Sequence, residues 1–185
     1  WLTGQTGAPQ LVEGYNRPMF FDGSSDVVEN TPSAVNPRKS GVGFPTGAAS
    51  RTIAGWVSVT DSTTNQAVFG YGTNPSSALE VFEFYNYSGG IGVHYSTYNS
   101  GGTTDLVNNT WYHLAATYDG TTVKVYIDGV LDHSDTRTLA TVSEFSRIGA
   151  NSYSSSAAEF FGGMINEVVF YDTALSASQV ADLAA

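Results

Sequence analysis

The stretch WYHLAATYDGTTVKVYIDGVLD, residues 111–132, decides the fold class of this chain. It holds two Asp-Gly pairs, at 119–120 and 128–129, and apolar and polar side chains alternate between them. Asp-Gly between such segments is a strong signal for a tight hairpin turn, and a period of two is typical of a strand with one buried face. The stretch therefore predicts three antiparallel strands joined by two turns.

Similar strand patterns recur on both sides of this stretch. They are RTIAGWVSV (51–59), QAVFGYG (66–72), ALEVFEFYNY (78–87), IGVHYSTY (91–98), EFSRIG (144–149) and EFFGGMINEVVFYD (159–172). The turn 88–90 joins two of these runs into a hairpin. Many short strands separated by turn residues favour an all-β antiparallel sandwich or jelly roll, formed by one domain over residues 1–185.

Three other segments complete the prediction of the fold. Phe20-Phe21 and Val27-Val28 predict a short strand pair around the turn that begins at Asp22. The stretch 29–50, with three prolines, predicts a long surface loop. Ser176 and Gln179 have the spacing of a capping box, which predicts one short C-terminal helix.

The composition limits the classes of function. Only 13% of the residues are charged, and the formal net charge is −10. Such a surface repels phosphate backbones, so we expect no nucleic-acid partner, and no run approaches the ~18 apolar residues of a membrane span. The chain has no Cys, which excludes disulfides and thiol catalysis. Because it opens abruptly at Trp1, we expect it to be part of a larger multidomain protein.

An ordered set of short motifs resembles a known family. The motifs are FDG (21–23), IAGWV (53–57), WYHLA (111–115), VYIDG (125–129), RIG (147–149), FGGMINEVVFY (161–171) and LS (175–176). In this order they resemble the LamG-like jelly-roll domains of the concanavalin A-like lectin/glucanase superfamily, over about residues 20–183. The resemblance implies one concave and one convex antiparallel sheet. It also implies a domain that is mostly found as a non-catalytic binding or adhesion module of extracellular proteins, although the superfamily includes glucanases.

The glutamates argue against catalysis. Retaining glucanases of this superfamily carry Glu-x-Asp-x-x-Glu on one strand, which brings two carboxylates within about 5–5.5 Å. In this chain Glu80 and Glu83 come nearest to that pattern, but a spacing of three places them on opposite strand faces. His113 lies inside a strand and is interpreted as a structural residue. We therefore expect no enzymatic activity, and a noncanonical glycanase is the weakest alternative.

The resemblance also implies a structural calcium ion. Relatives hold calcium between the segments that correspond to FDG and to INE, so the predicted ligands are Asp22, Asn166 and Glu167. Carboxylate and amide oxygens are ligands that calcium accepts. The alternative is that Asp22 and Asn166 only form hydrogen bonds within their own turns.

A sugar site requires aromatic rings beside hydrogen-bonding side chains. The hairpin 85–99 and the loop at 151–153 are rich in both. The predicted ligand-binding residues are Tyr85, Tyr87, Tyr95, Tyr98, Asn99 and Tyr153. The alternative is that many of these tyrosines cover sheet edges, because strands favour Tyr.

Taken with the resemblance, these features predict a non-catalytic module that binds a carbohydrate or a glycoprotein surface, located outside the cell or on its surface. The alternative is a structural module without a small ligand, in a surface protein, an adhesin or a phage or virus fibre. Low charge, absence of Cys and abundant Ser, Thr and Gly are compatible with both.

Overall fold

The computed structural model describes residues 10–11, 17–30, 44–73, 79–87, 90–95, 99–152 and 156–185 of the chain, with residues 10, 11, 30, 99 and 100 described by their backbone alone. Within this part the chain forms strands and one short helix. Their bounds are β1 Gln10–Leu11, β2 Met19–Asp22, β3 Val28–Asn30, β4 Arg51–Val59, β5 Gln66–Gly72, β6 Phe82–Tyr87, β7 Gly90–His94, β8 Asn99–Ser100, β9 Tyr112–Tyr118, β10 Thr122–Ile127, β11 Val130–Thr136, β12 Phe145–Ile148, β13 Gly162–Tyr171 and α1 Ala177–Leu183.

Two antiparallel sheets form the predicted sandwich. One sheet has seven strands in the order β1-β2-β13-β4-β9-β10-β11, and the other has six in the order β3-β12-β5-β6-β7-β8. Strands that are distant in sequence, such as β4 and β13, lie side by side, as in a jelly roll. The prediction of an all-β sandwich with one C-terminal helix is confirmed.

The stretch 111–132 forms the predicted meander of β9, β10 and β11. Asp119 closes the first turn, because its Oδ1 accepts the backbone N–H groups of Thr121 and Thr122 at 2.9 and 2.8 Å. At the second turn Asp128 and Gly129 both have positive φ, of 49° and 76°. That backbone is what a two-residue hairpin turn requires to match the right-handed twist of its strands.

Two predictions about the first fifty residues need correction. β2 and β3 do not pair with each other: β2 pairs with β13 in the seven-stranded sheet, and β3 pairs with β12 in the other. The turn at 23–26 therefore carries the chain from one sheet to the other. The predicted loop 29–50 begins too early, because β3 continues to Asn30, and residues 31–43 lie outside the described part.

The main core lies between the two sheets and is rich in aromatic rings. Phe69 and Phe84, which are neighbours in register, pack edge to face with centroids 5.2 Å apart. Phe21 and Phe161 make a second T-shaped contact at 6.3 Å. All four rings are fully buried. Each such pair contributes about 0.5–1.5 kcal/mol beyond the area that it buries.

A smaller core lies on the other side of the seven-stranded sheet. Val180 of α1 packs against Ala54, Ala115 and Tyr126, which face away from the main core. This explains why β4 is buried on both faces although its sequence alternates. The helix begins at the predicted capping box, in which the Ser176 side chain accepts the Gln179 N–H.

Arg51 is a fully buried cation at one end of the main core. Its guanidinium donates to the carbonyl oxygens of Ala49, Pro45 and Gly47 at 2.9, 3.0 and 2.5 Å, and to the Tyr71 hydroxyl at 3.0 Å. Burial raises the pKa of Tyr71 to about 12, so this hydroxyl stays neutral. The guanidinium also lies 5.2 Å from the Tyr118 ring centroid. Arg51 thus ties the backbone at 45–49 to both sheets.

We predict that Arg51→Met lowers the free energy of unfolding by about 3 kcal/mol, because three partly buried carbonyl oxygens and the buried Tyr71 hydroxyl lose their donor. Urea unfolding monitored by tryptophan fluorescence measures the change. Lys124→Met is the control, since Lys124 is exposed on β10. A loss in Arg51→Met no larger than in the control would contradict this structural role.

Candidate functional site

The outer face of the six-stranded sheet carries polar and aromatic side chains. Along β6, Phe82 and Phe84 face the main core, so Glu83, Tyr85 and Tyr87 face outward. The rings of Tyr85 and Tyr87 are tilted against each other with centroids 4.4 Å apart. Register places glycines of β7 opposite both tyrosines, so β7 adds no side chain beside them.

A line of polar residues crosses this outer face from strand to strand. In register order it runs through Glu29, Arg147, Gly70, Glu83 and His94, and we call it the polar row. Arg147 Nε donates to Glu29 Oε2 at 3.0 Å, and His94 Nδ1 lies 3.0 Å from Glu83 Oε1. The Arg147 side chain is 1% exposed and the Glu83 side chain is 0% exposed. The Arg147 guanidinium and the Glu83 carboxylate are therefore buried on a face that a sheet usually presents to solvent.

The connection between β12 and β13 buries the polar row. The Ser152 N–H donates to Glu83 Oε2 at 2.7 Å, and Arg147 Nη1 donates to the Asn151 carbonyl at 2.7 Å. The connection turns at Gly149, where φ is +85° and an added Cβ would lie 2.2 Å from the Phe21 ring. Glu83 and Arg147 thus hold the connection against the sheet.

Where this connection enters β13, it forms one wall of a cleft of about 530 Å³. The other walls are the β2–β3 turn and the β4–β5 connection. We call this the rim cleft, and its lining residues are Asp22, Gly23, Ser24, Thr60, Asp61, Thr64, Asn65, Gln66, Glu159, Phe160 and Gly162. Its volume falls within the range of about 300–1,000 Å³ that small-molecule sites occupy.

The Gln66 side chain joins two walls of the rim cleft by hydrogen bonds. Its Nε2 donates to the Asp61 carbonyl at 2.6 Å, and its Oε1 accepts the Gly162 N–H at 2.7 Å. Backbone hydrogen bonds join the same walls, since the Ala67 N–H donates to the Glu159 carbonyl at 2.9 Å. The Gln66 side chain is almost fully buried. The walls are therefore held in place before any ligand enters.

The lining of the rim cleft combines carboxylates, amides and hydroxyls with one aromatic ring. Phe160 is half-buried, while Asp61, Thr64 and Asn65 are exposed. Asp61 Oδ1 accepts the Thr63 hydroxyl and N–H, and these hydrogen bonds hold the pKa of Asp61 below its usual value. The side chains can bind hydroxyl groups, and the ring can pack against an apolar face.

The structure separates the tyrosines that the sequence grouped together. Tyr85 is 4% exposed and Tyr87 is half-buried, both on the outer face, and neither lines the rim cleft. Tyr95 is fully buried in the main core, because it continues the inward alternation of Ile91 and Val93. Asn99 is placed opposite His94 by register, with its side chain outside the described part. Tyr98 and Tyr153 lie outside the described residues.

The residues proposed for calcium do not converge on one point. Asp22 pairs with Gly162, and Asn166 lies four residues further along β13, which corresponds to about 13 Å. Ligands of one calcium ion lie 2.3–2.6 Å from it, and so at most about 5 Å from each other. Glu167 follows Asn166 at a bulge, with φ of 51°. These three residues do not fit a single calcium site.

The Asp22 carboxylate instead accepts hydrogen bonds from residues of its own turn. Its Oδ1 accepts the N–H groups of Ser24, Ser25 and Asp26 at 2.8, 2.8 and 3.1 Å, and its Oδ2 accepts the hydroxyls of Ser24 and Ser25. These bonds, with the Ser24 hydroxyl first, hold the pKa of Asp22 far below its usual value. For Asp22, the structure thus has the hydrogen bonds within the turn that the sequence offers as the alternative to calcium binding.

Most residues of the rim cleft are not among those predicted from the sequence. Phe160 precedes Phe161, which faces the core, so alternation alone indicates that Phe160 faces outward. The polar run 61–65 carries no recognised motif that would indicate a site. Only the fold brings this run beside Phe160 and Glu159.

Comparison with known proteins gives a family and several similar structures. A family model described as the concanavalin A-like lectin/glucanases superfamily matches residues 22–181. Domain 4 of an extracellular GH43 arabinanase from Geobacillus stearothermophilus, in complex with arabinotriose, is similar with a TM-score of 0.69 and 22% identity over 98% of this chain and 82% of that one. No curated protein sequence matches.

Two other solved structures share the fold. The CBM40 of the IT-sialidase from Ruminococcus gnavus, bound to α2,3-sialyllactose, has a TM-score of 0.69 and 14% identity, over 91% of this chain and 96% of that one. A heptameric SAP-like pentraxin from Limulus polyphemus has a TM-score of 0.60 and 17% identity, over 86% and 82%. At these identities the similarity demonstrates a common fold and leaves the ligand open.

We predict that Glu83→Ala lowers the free energy of unfolding by about 2–3 kcal/mol, because the buried Ser152 N–H and His94 lose their acceptor. Glu83→Gln should cost less, since its amide oxygen still accepts one of these bonds. Urea unfolding measures both, with Glu80→Ala as the control on a half-buried residue just before β6. Equal losses in Glu83→Ala and Glu80→Ala would show that the polar row does not hold the connection.

Asp22 makes the stability of the protein depend on pH. Because its pKa is lower in the folded state than in the unfolded state, ionised Asp22 stabilises the fold above about pH 4, and this contribution is lost as the pH falls further. We expect Asp22→Asn to be less stable than the wild type at pH 7, by about 1 kcal/mol or less because the turn is exposed. The difference should close towards pH 2.5 in urea unfolding. A difference that is constant with pH would contradict this.

Proposed function

Because this chain belongs to the concanavalin A-like lectin/glucanase superfamily, we propose that it is a carbohydrate-binding module whose ligand occupies the rim cleft. The module would serve an extracellular or surface protein by holding it on a glycan or glycoprotein. Individual sugar contacts are weak, so such modules gain from being linked to other binding or catalytic domains.

The observation that carries this proposal is the composition of the rim cleft. Phe160 supplies a ring for the apolar face of a sugar, and Asp61, Asn65 and Glu159 supply groups that bind hydroxyls. Asn86 of β6 supports the same wall, because it pairs with Gln66 and its Nδ2 donates to the Thr64 carbonyl at 2.8 Å. Hydrogen bonds hold the walls of the cleft in place before a ligand binds, so the protein loses less conformational entropy on binding.

Similar structures support the same class of ligand. The arabinanase domain was solved with arabinotriose and the CBM40 with sialyllactose, so this fold presents sugar sites in two other proteins. One is named as domain 4 of an arabinanase and the other as the CBM40 of a sialidase. No helix in the described part of this chain is long and apolar enough to cross a membrane.

The carboxylates of the outer face favour binding over hydrolysis. Glycoside hydrolysis uses two carboxyl groups about 5–9.5 Å apart, one of them protonated at the start. Glu29 and Glu83 are separated by β12 and β5, which corresponds to about 14 Å at about 4.8 Å per strand. In the rim cleft, hydrogen bonds lower the pKa of Asp22 and of Asp61, so neither is suited to donate a proton.

We predict that Phe160→Ala raises the Kd for a bound oligosaccharide about tenfold or more, because the stacking surface is lost. A glycan array identifies the ligand, and isothermal titration calorimetry compares the variant with the wild type, with melting curves confirming that both are folded. Trp111→Ala is the control, because Trp111 is an exposed aromatic residue that directly precedes β9 of the other sheet and does not line the cleft.

Two results would contradict the proposal. If the folded wild type binds no glycan on the array, the module does not bind carbohydrate, and a structural role is favoured. If Phe160→Ala and Trp111→Ala bind equally well, the ligand occupies another surface. Release of reducing ends from a bound oligosaccharide would identify an enzyme instead.

A further inference from the structure

The charged side chains that line the rim cleft all have the same sign. Among the described lining residues they are Asp22, Asp61 and Glu159, and none of these residues is Lys, Arg or His. A cleft concentrates the field of its charges, because protein walls on several sides exclude water. The rim cleft is therefore a region of negative potential on a chain that already carries a net charge of −10.

The basic side chains Arg147 and His94 of the neighbouring outer face contact other residues and do not line the cleft. Arg147 is paired with Glu29 and bonded to the Asn151 carbonyl, and His94 lies against Glu83. Both side chains belong to the polar row and are largely buried, so neither can reach into the cleft without losing its carboxylate partner. A ligand in the rim cleft thus meets acceptors of negative charge and neutral donors.

The negative charge persists over a wide range of pH. Hydrogen bonds from Ser24 to Asp22 and from Thr63 to Asp61 lower the pKa of both carboxyls. Both groups are therefore ionised at neutral and mildly acidic pH, where uronic acids, sialic acids and sulfated sugars are anions as well.

We propose that the rim cleft selects uncharged glycans and rejects glycans that carry a carboxylate or a sulfate. Uncharged sugar hydroxyls donate hydrogen bonds to the carboxylates, whereas an anionic sugar would place like charges in the same cleft. This inference rests on the proposed function and specifies the class of ligand. It distinguishes this chain from a protein of the same fold such as the CBM40, which was solved with sialyllactose.

Coulomb's law sets the size of the effect. Three carboxylates at roughly 7 Å from a ligand anion, in water at low salt, weaken its binding by about tenfold. Salt screens these interactions, since the Debye length falls from about 30 Å at 0.01 M to about 3 Å at 1 M. The discrimination should therefore narrow as salt is added, while the affinity for an uncharged glycan should change little.

The test compares a neutral oligosaccharide that binds on the array with its counterpart oxidised at C6 to the uronic acid, at the same length and linkage. Isothermal titration in 20 mM and in 500 mM NaCl gives the ratio of the two Kd values. The test variant combines Asp61→Asn with Glu159→Gln, which keeps an acceptor oxygen at each position. The control combines Asp105→Asn with Asp182→Asn, two exposed residues outside the cleft, so that the net charge changes equally.

We expect the wild type and the control to prefer the neutral sugar at least about tenfold at low salt, and the test variant to lose most of that preference. Equal affinity of the wild type for both sugars, or the same preference in the test variant and the control, would overturn the inference and leave carbohydrate binding intact. Failure of the folded wild type to bind any sugar would instead overturn the proposed function, and this inference with it.

Discussion

Two buried ionic groups on the outer face of the six-stranded sheet hold the connection between β12 and β13 in place. Glu83 accepts the Ser152 N–H, and Arg147 donates to the Asn151 carbonyl. This connection leads directly to Glu159 and Phe160, which form one wall of the rim cleft. The position of this wall therefore depends on hydrogen bonds that two buried charged side chains make on a neighbouring part of the sheet. Without these two side chains, the sheet would not make these hydrogen bonds to the connection.

Buried charges hold backbone segments in place at two sites in this sandwich. A buried ion pair adds little net stability, because desolvation offsets most of the attraction, but removing one partner is costly. Arg51 is also buried, and it binds backbone carbonyls at 45–49 and three aromatic rings. In a chain with only 13% charged residues, several charges are thus used inside the protein to fix loops. We interpret them as determinants of loop position.

The fold and the ligand are separate questions in this superfamily. Structures with 14–22% identity to this chain superpose over most of its length, since the jelly roll needs only alternating side chains, turns and a filled core. What a member binds is decided by the loops at the rim and by the outward side chains. In this chain those positions carry Asp61, Asn65, Glu159 and Phe160. Their hydroxyl-binding chemistry and negative charge distinguish the rim cleft from a site built around basic residues.

The sequence by itself determined the local structure: the meander at 111–132, the hairpin of β6 and β7, and the helix that begins at Ser176. Each depends on contacts between residues close in sequence, through turn geometry, capping and alternation. Alternation also determines which residues share a face. It explains why Tyr95 lies in the core while Tyr85 faces outward, although both were predicted to bind the ligand.

Only the tertiary structure decided which sheet each early strand joins, that α1 covers β4, and that Phe160 meets the run 61–65. These outcomes depend on packing between distant segments, for which a local pattern carries no information.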